Sequence, residues 1–114
     1  MGGSLEYLVL RCADLERSRV FYEALGLGLV REQHGRGPEH YSCDLGGVVL
    51  ELYPLAHSRT SGVRLGVRVS SVAAAVESLR RVGATLLRVD TNGPTPSAEV
   101  RDPDGHEVAL SQLP

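Results

Sequence analysis

The sequence predicts an α+β fold: two tandem β-α-β-β-β modules forming a curved, cleft-enclosing mixed sheet with the helices outside. Three observations predict it. The chain repeats itself at half its length, each half opens with a strand, a helix and a glycine stop, and enough chain follows each helix for three short strands. The expected organisation is one domain over 1–114, with modules at about 1–56 and 60–114.

The repeat appears on direct superposition. "LVLRCADL" (8–15) set on "LGVRVSSV" (65–72) pairs Leu8 with Leu65, Leu10 with Val67 and Arg11 with Arg68. The same offset pairs Gly26 with Gly83, Leu29 with Leu86 and Arg31 with Arg88. After a slip of one residue, Asp44 meets Asp102, Gly47 meets Gly105, Leu50 meets Val108 and Leu52 meets Leu110.

"MGGS" reads as a flexible start, and "LEYLVLR" alternates as a strand. Asp14 is the N-cap of a helix over "LERSRVFYEAL", which Gly26 stops. Three strands then fall at 28–33, 39–45 and 47–53. In the second half "VRLGVRV" is the strand and Ser70 or Ser71 the cap. Val72, Ala75, Val76, Leu79 and Val82 keep helical intervals, Arg80 and Arg81 suit the negative end of the dipole, and Gly83 stops the helix. Strands follow at 85–89, 97–101 and 106–111, with "HGRGPE" and "DTNGPTPS" as connections. A ferredoxin-like fold would need only β-α-β per half.

Composition narrows the function. A hydrophobic share of 42% and a charged share of 23% describe a globular protein. A formal charge of −2 gives no electrostatic reason to expect nucleic acid or an anionic membrane as partner. No apolar run is long enough to cross a bilayer. Cys12 and Cys43 match no zinc or CxxC spacing and are expected as free thiols in a reducing cytoplasm. All basic residues are arginine, which base composition explains.

Strand alternation sorts side chains between two faces. Leu8, Leu10, Val48, Leu50, Leu52, Leu65, Val67, Val69, Val108 and Leu110 suit the helix-covered side. The other face gathers Tyr7, Glu51, Tyr53, Arg64, Arg68 and Glu107. Such a face lines a ligand cleft if the two sheets curl together; otherwise it is solvated surface.

"LVLRCADLERSRVFYEALGL" and "DPDGHEVAL" resemble the opening and closing segments of the vicinal oxygen chelate superfamily, which includes glyoxalase I, extradiol dioxygenases and bleomycin resistance proteins. The resemblance spans almost the whole chain. It implies the paired-module fold, a homodimer with sheets combining across subunits, and, in metal-using members, four ligands from symmetric strand positions. Those positions here are Tyr7, Glu51, Arg64 and Ala109. Glu51 can be an oxygen ligand, but neutral tyrosine is a poor one, alanine offers none, and arginine brings a positive charge. No metal is therefore expected, and the resemblance leaves Ni, Zn, Mn or Fe as the alternative cofactor. Arg64 either stands in for the cation, pairing with Glu51 and presenting donors to an anionic or carbonyl-bearing ligand, or makes a plain structural ion pair.

His34, His40 and His57 lie in or near loops, and His106 opens the last strand on its helix-facing side. His40 with Glu51 is the pair that could rebuild a metal site if the third strand brings His40 to the free face; surface or capping roles are the alternative. "GLG" at 26–28 ends a helix and is no dinucleotide fingerprint.

Three functions are weighed. The leading one is a metal-independent, bleomycin-resistance-like protein that binds a small organic molecule in a cleft lined by Tyr7, Tyr53, Arg64 and Arg68. The second is a glyoxalase-like lyase, isomerase or dioxygenase with Glu51 as catalytic base or metal ligand. The third is a regulatory module with a vestigial cleft.

Overall fold

The computed structural model describes residues 2–56 and 58–114; Met1 lies outside them, as does His57, expected in or near a loop. The elements run β1 (Tyr7–Cys12), α1 (Leu15–Ala24), β2 (Val30–Glu32), β3 (His40–Asp44) and β4 (Val49–Pro54), then β5 (Arg64–Val69), α2 (Val72–Arg81), β6 (Thr85–Asp90), β7 (Ser97–Arg101) and β8 (Glu107–Gln112). The order β-α-β-β-β occurs twice, as the repeat predicts. Each half makes its own four-stranded mixed sheet, ordered β1-β4-β3-β2 and β5-β8-β7-β6. The β1–β4 and β5–β8 pairs are parallel and the rest antiparallel. Among the described residues, neither sheet closes on itself and the two share no hydrogen-bonded strand. No helix of the described residues is long and apolar enough to cross a membrane.

The helix boundaries follow from local chemistry. Asp14 accepts a hydrogen bond from the Arg17 backbone N–H at 3.1 Å, and Ser71, of the two candidate serines, does the same for Ala74 at 3.1 Å. Gly26 at φ 98° and Gly83 at φ 73° supply the left-handed residue that ends each helix. Val82, expected within the second helix, is its exposed C-cap. β4 starts at Val49, two residues later than the expected 47, because Asp44 holds a tight turn: its Oδ1 accepts the Gly47 N–H at 2.9 Å, and Leu45 N–H bonds Val48 C=O at 2.7 Å. β2 is only three residues long, against six expected.

Leu10, Leu50 and Leu52 pack with Phe21, Tyr22 and Leu25 on one side, and Val72, Val76, Leu79, Val100, Val108 and Leu110 on the other. These form one contiguous core. Burying such side chains contributes roughly 1.5–3 kcal/mol each.

A polar knot joins the two halves. Tyr22 on α1 donates its hydroxyl to Asp102 Oδ2 at 2.7 Å, and His106 Nδ1 lies 2.7 Å from the same oxygen. The backbone N–H groups of Asp104 and His106 each donate to Asp102 Oδ1 at 2.9 Å. Asp104 in turn accepts from the Ala13 N–H at 2.9 Å and the Ser18 hydroxyl at 3.3 Å. His106 Nε2 meets the Thr60 carbonyl at 3.1 Å. An imidazole facing an acceptor at both nitrogens satisfies both best when doubly protonated. Burial pushes the His106 pKa down, but the Asp102 hydrogen bond, the Thr60 carbonyl and the Asp102 charge outweigh it, and the net shift is upward. The knot has no counterpart related by the repeat: the equivalents of Tyr22 and Asp102 are buried Leu79 and exposed Asp44.

Asp102→Ala is expected to cost about 3–5 kcal/mol in urea unfolding, because it strands a buried imidazole and a buried hydroxyl, whereas Tyr22→Phe should cost only about 1 kcal/mol. Equal costs would contradict this ranking. His106 with a raised folded pKa contributes its full stability below the unfolded value of about 6.5 and loses it as pH rises through the folded value. Wild-type stability should therefore fall relative to His106→Asn from neutral to mildly alkaline pH; a difference constant across that range would show that His106 does not titrate this way.

Candidate functional site

The register of the first sheet sets what its uncovered face presents. Val9 lies opposite Glu51, Arg11 opposite Tyr53 and Ser42 opposite Glu51, so these side chains share a face with Tyr7. Glu32 pairs with His40, and alternation from Ser42 puts His40 on that same face. Strand three thus brings His40 beside Glu51.

His40 is 1% exposed although it sits on the uncovered face, because its neighbours roof it. The Tyr53 ring stacks on it at 4.2 Å between centroids with planes 9° apart, and the His34 ring lies 5.1 Å away. His40 Nε2 is 3.6 Å from Glu51 Oε2, 3.6 Å from Glu32 Oε1 and 3.4 Å from the Tyr53 hydroxyl. The Arg11 guanidinium carbon rests 5.2 Å from the Tyr53 ring centroid, a cation–π arrangement. Burial and the Glu51 charge raise the Tyr53 pKa, so its phenol stays protonated at neutral pH.

The second sheet presents Arg64 opposite Glu107, Gly66 opposite Ala109 and Arg68 opposite Ser111. Arg64 lies 3.5 Å from Glu99 and 3.8 Å from Glu107, and Arg88 lies 3.6 Å from the same Glu99. The expected Arg64–Glu51 pairing is therefore corrected. Arg64 finds its carboxylates on its own sheet, Glu107 one strand away on β8 and Glu99 two strands away on β7, while Glu51 turns to His40. A Cβ built on Gly66 would meet open space, so Gly66 and Ala109 form a low floor between the arginines.

The six expected site residues fall into two groups: Tyr7, Glu51 and Tyr53 on the first sheet, and Arg64, Arg68 and Glu107 on the second. A shallow concavity of about 510 Å³ bounded by Val63, Arg64, Arg101 and Glu107 marks one end of the second face. A groove of about 310 Å³ between α1 and the 82–85 and 101–103 segments lies on the helix side and includes none of the six. Cys12 and Cys43 are free and buried. Burial pushes the Cys12 thiol up to about 11, which removes it as a nucleophile at neutral pH.

Sequence reasoning missed Glu32 and His34 as neighbours of His40. Their i, i+2 spacing, which puts both on one side of an extended chain, was the available signal. At the four places where related metal proteins would carry ligands, Tyr7, Glu51, Arg64 and Ala109 do not fit an ion: one carboxylate stands with a neutral phenol, a cation and a methyl group.

Comparison with known proteins accords with the architecture. A family model described as a glyoxalase-like domain matches residues 7–111. The chain is 30% identical to the glyoxalase domain-containing protein RDO1 of Mycosarcoma maydis over 95% of its own length and 67% of the relative's. It is 27% identical to a probable lactoylglutathione lyase of Vibrio parahaemolyticus, covering 96% of the chain and 91% of that protein. Its fold is similar to that of TnmS3, an antibiotic binding protein from Streptomyces sp. CB03234, with a TM-score of 0.73 at 23% identity, covering 98% of this chain and 97% of that one.

Arg64→Ala is expected to change unfolding free energy by no more than about 0.5 kcal/mol, because both its ion pairs are exposed. A loss several times larger would mean that the Arg64 pairs are structural.

Proposed function

From the premise that this chain belongs to the glyoxalase-like domain family, matched over residues 7–111, we propose that it binds a small organic molecule on its uncovered sheet faces without an ion at the family's four positions. The observation that carries this reading is the make-up of those positions, Tyr7, Glu51, Arg64 and Ala109. They offer hydrogen-bond donors, one carboxylate and a low floor in place of a ligand set. Tyr7 supplies an exposed aromatic face, Tyr53 its phenolic edge, and Arg64 and Arg68 fork-shaped donors. Gly66 and Ala109 leave room for a flat ring between them. The ligand class that suits this chemistry is a planar, conjugated molecule with a carboxylate, phenolate or carbonyl group. The Streptomyces protein of similar fold is an antibiotic binding protein, which supports a small organic ligand.

The working unit in this reading is a homodimer. The chain exposes 7042 Å², whereas a compact monomer of 12.2 kDa exposes about 6,100 Å². Its radius of gyration is 14.4 Å, against about 13.3 Å for a compact domain of this length. The excess surface is close to the roughly 800 Å² that each partner contributes to a standard interface. Pairing two copies would set the Tyr7–Glu51–Tyr53 face of one against the Arg64–Arg68–Glu107 face of the other, giving two equivalent clefts.

Light scattering on the eluting protein should give twice the 12.2 kDa chain mass. Among aromatic carboxylates and polycyclic phenolic antibiotics, a binder at about a hundred times its Kd should stabilise the protein by about 2.7 kcal/mol, a melting shift on the order of 10 °C. The shift should survive chelator treatment and weaken at least about tenfold in Kd for Arg68→Ala, one charge-assisted contact's worth. A panel without any shift, or shifts abolished by chelator, would contradict the proposal.

A further inference from the structure

We propose that Glu32, His34 and His40 form a binding site for a divalent transition-metal ion of the zinc class, one strand away from the family's four positions and with its open coordination place beside Glu51. One ligand atom from each of the three residues lies within 4.8 Å of the others. This goes beyond the ligand-binding reading, which stands whether or not the ion is held.

The distances approach those of a coordination shell. A tetrahedral ion with bonds of about 2.0–2.1 Å sets its ligand atoms roughly 3.3–3.5 Å apart. His40 Nε2 stands 3.6 Å from Glu32 Oε1 and 3.6 Å from Glu51 Oε2, too far for a hydrogen bond and close to that edge length. A cation drawn in needs only a small contraction between His40 and Glu32, while the exposed His34 ring, within 4.8 Å, swings in to complete the set.

The donor set is prepared as metal ligands are. His40 Nδ1 lies 3.2 Å from the Pro38 carbonyl, an acceptor that favours the proton on Nδ1 and leaves the Nε2 lone pair to the Tyr53 hydroxyl at 3.4 Å or to an ion that displaces it. Stacking on Tyr53 locks the ring. His34 is brought back over His40 by a closed turn: Gly37 N–H bonds the His34 carbonyl at 3.0 Å, and Gln33 Nε2 bonds the Gly37 carbonyl at 2.9 Å. A Cβ at Gly37 would press to 3.1 Å of the His34 carbonyl, so the turn fits glycine. Two imidazoles and one carboxylate suit zinc and leave a fourth position for water. That position is next to Glu51, whose second negative charge adds attraction for a dication. His34 is exposed, which gives the ion a way in.

Calorimetric titration of chelator-stripped protein with zinc alone tests this, with cobalt(II) as an optical probe of coordination. One ion per chain is expected, with a tetrahedral-type cobalt spectrum. Affinity should fall at least about tenfold, toward a hundredfold, in Glu32→Gln and in His34→Ala. Both side chains are partly or fully exposed, so these variants should fold even if the buried His40→Ala does not. Absence of binding, binding unchanged in both variants, or an octahedral spectrum with only water-like ligands would overturn the proposal. Binding lost in Arg64→Ala but kept in His34→Ala would place the ion elsewhere and overturn it too. Because the titration uses no organic ligand, its failure leaves the melting shifts of chelator-treated protein intact.

Discussion

The arrangement of this protein depends on one carboxylate. Asp102 takes four hydrogen bonds on two oxygens, from Tyr22 of the first half and from His106 and Asp104 of the second. A buried carboxylate is tolerated only when its lone pairs are filled, and here the filling spans the joint between the modules. Asp104 extends the tie to Ala13 and Ser18, and His106 extends it to Thr60 in the connection. Helix α1 is thereby held against the second half, with α1 and α2 sharing the core between the sheets.

This explains why a duplicated sequence yields unequal halves. The repeat gives both modules the same strands, caps and glycine stops, but only the second carries the Asp-Pro-Asp-Gly-His turn. In the first, Asp44 merely closes its own hairpin on Gly47, and Val48 stands where His106 would be. Two sheets docked through their helices bury one set of apolar faces well. The opposite faces, with Tyr7 56% exposed and Arg64 largely in solvent, are left without cover from their own chain.

Much of this was legible in the sequence. Period-two alternation placed Glu51, Tyr53 and the arginines on the uncovered face and His106 beneath the helices, because facing depends only on local backbone geometry. Caps and stops were legible for the same reason: Asp14, Gly26 and Gly83 act on neighbours in the chain. Partners were not. Arg64 chooses Glu99 and Glu107 over Glu51 because sheet register, set across the whole second module, brings those carboxylates to it. The His40 surroundings were half legible: its face was conditional on strand three, and the turn that folds His34 back over it rests on hydrogen bonds through Gly37 that no periodicity encodes.

Hydrogen exchange of two amides tests the central role of the Asp102–Asp104 tie most directly. The His106 N–H ends on Asp102 within the second half, and the Ala13 N–H ends on Asp104 across the joint. If the tie holds the modules as one cooperative unit, both amides should exchange with the same free energy, equal to that of global unfolding. Ala13 exchanging orders of magnitude faster than His106 would show that the halves part without unfolding, and the account would fail.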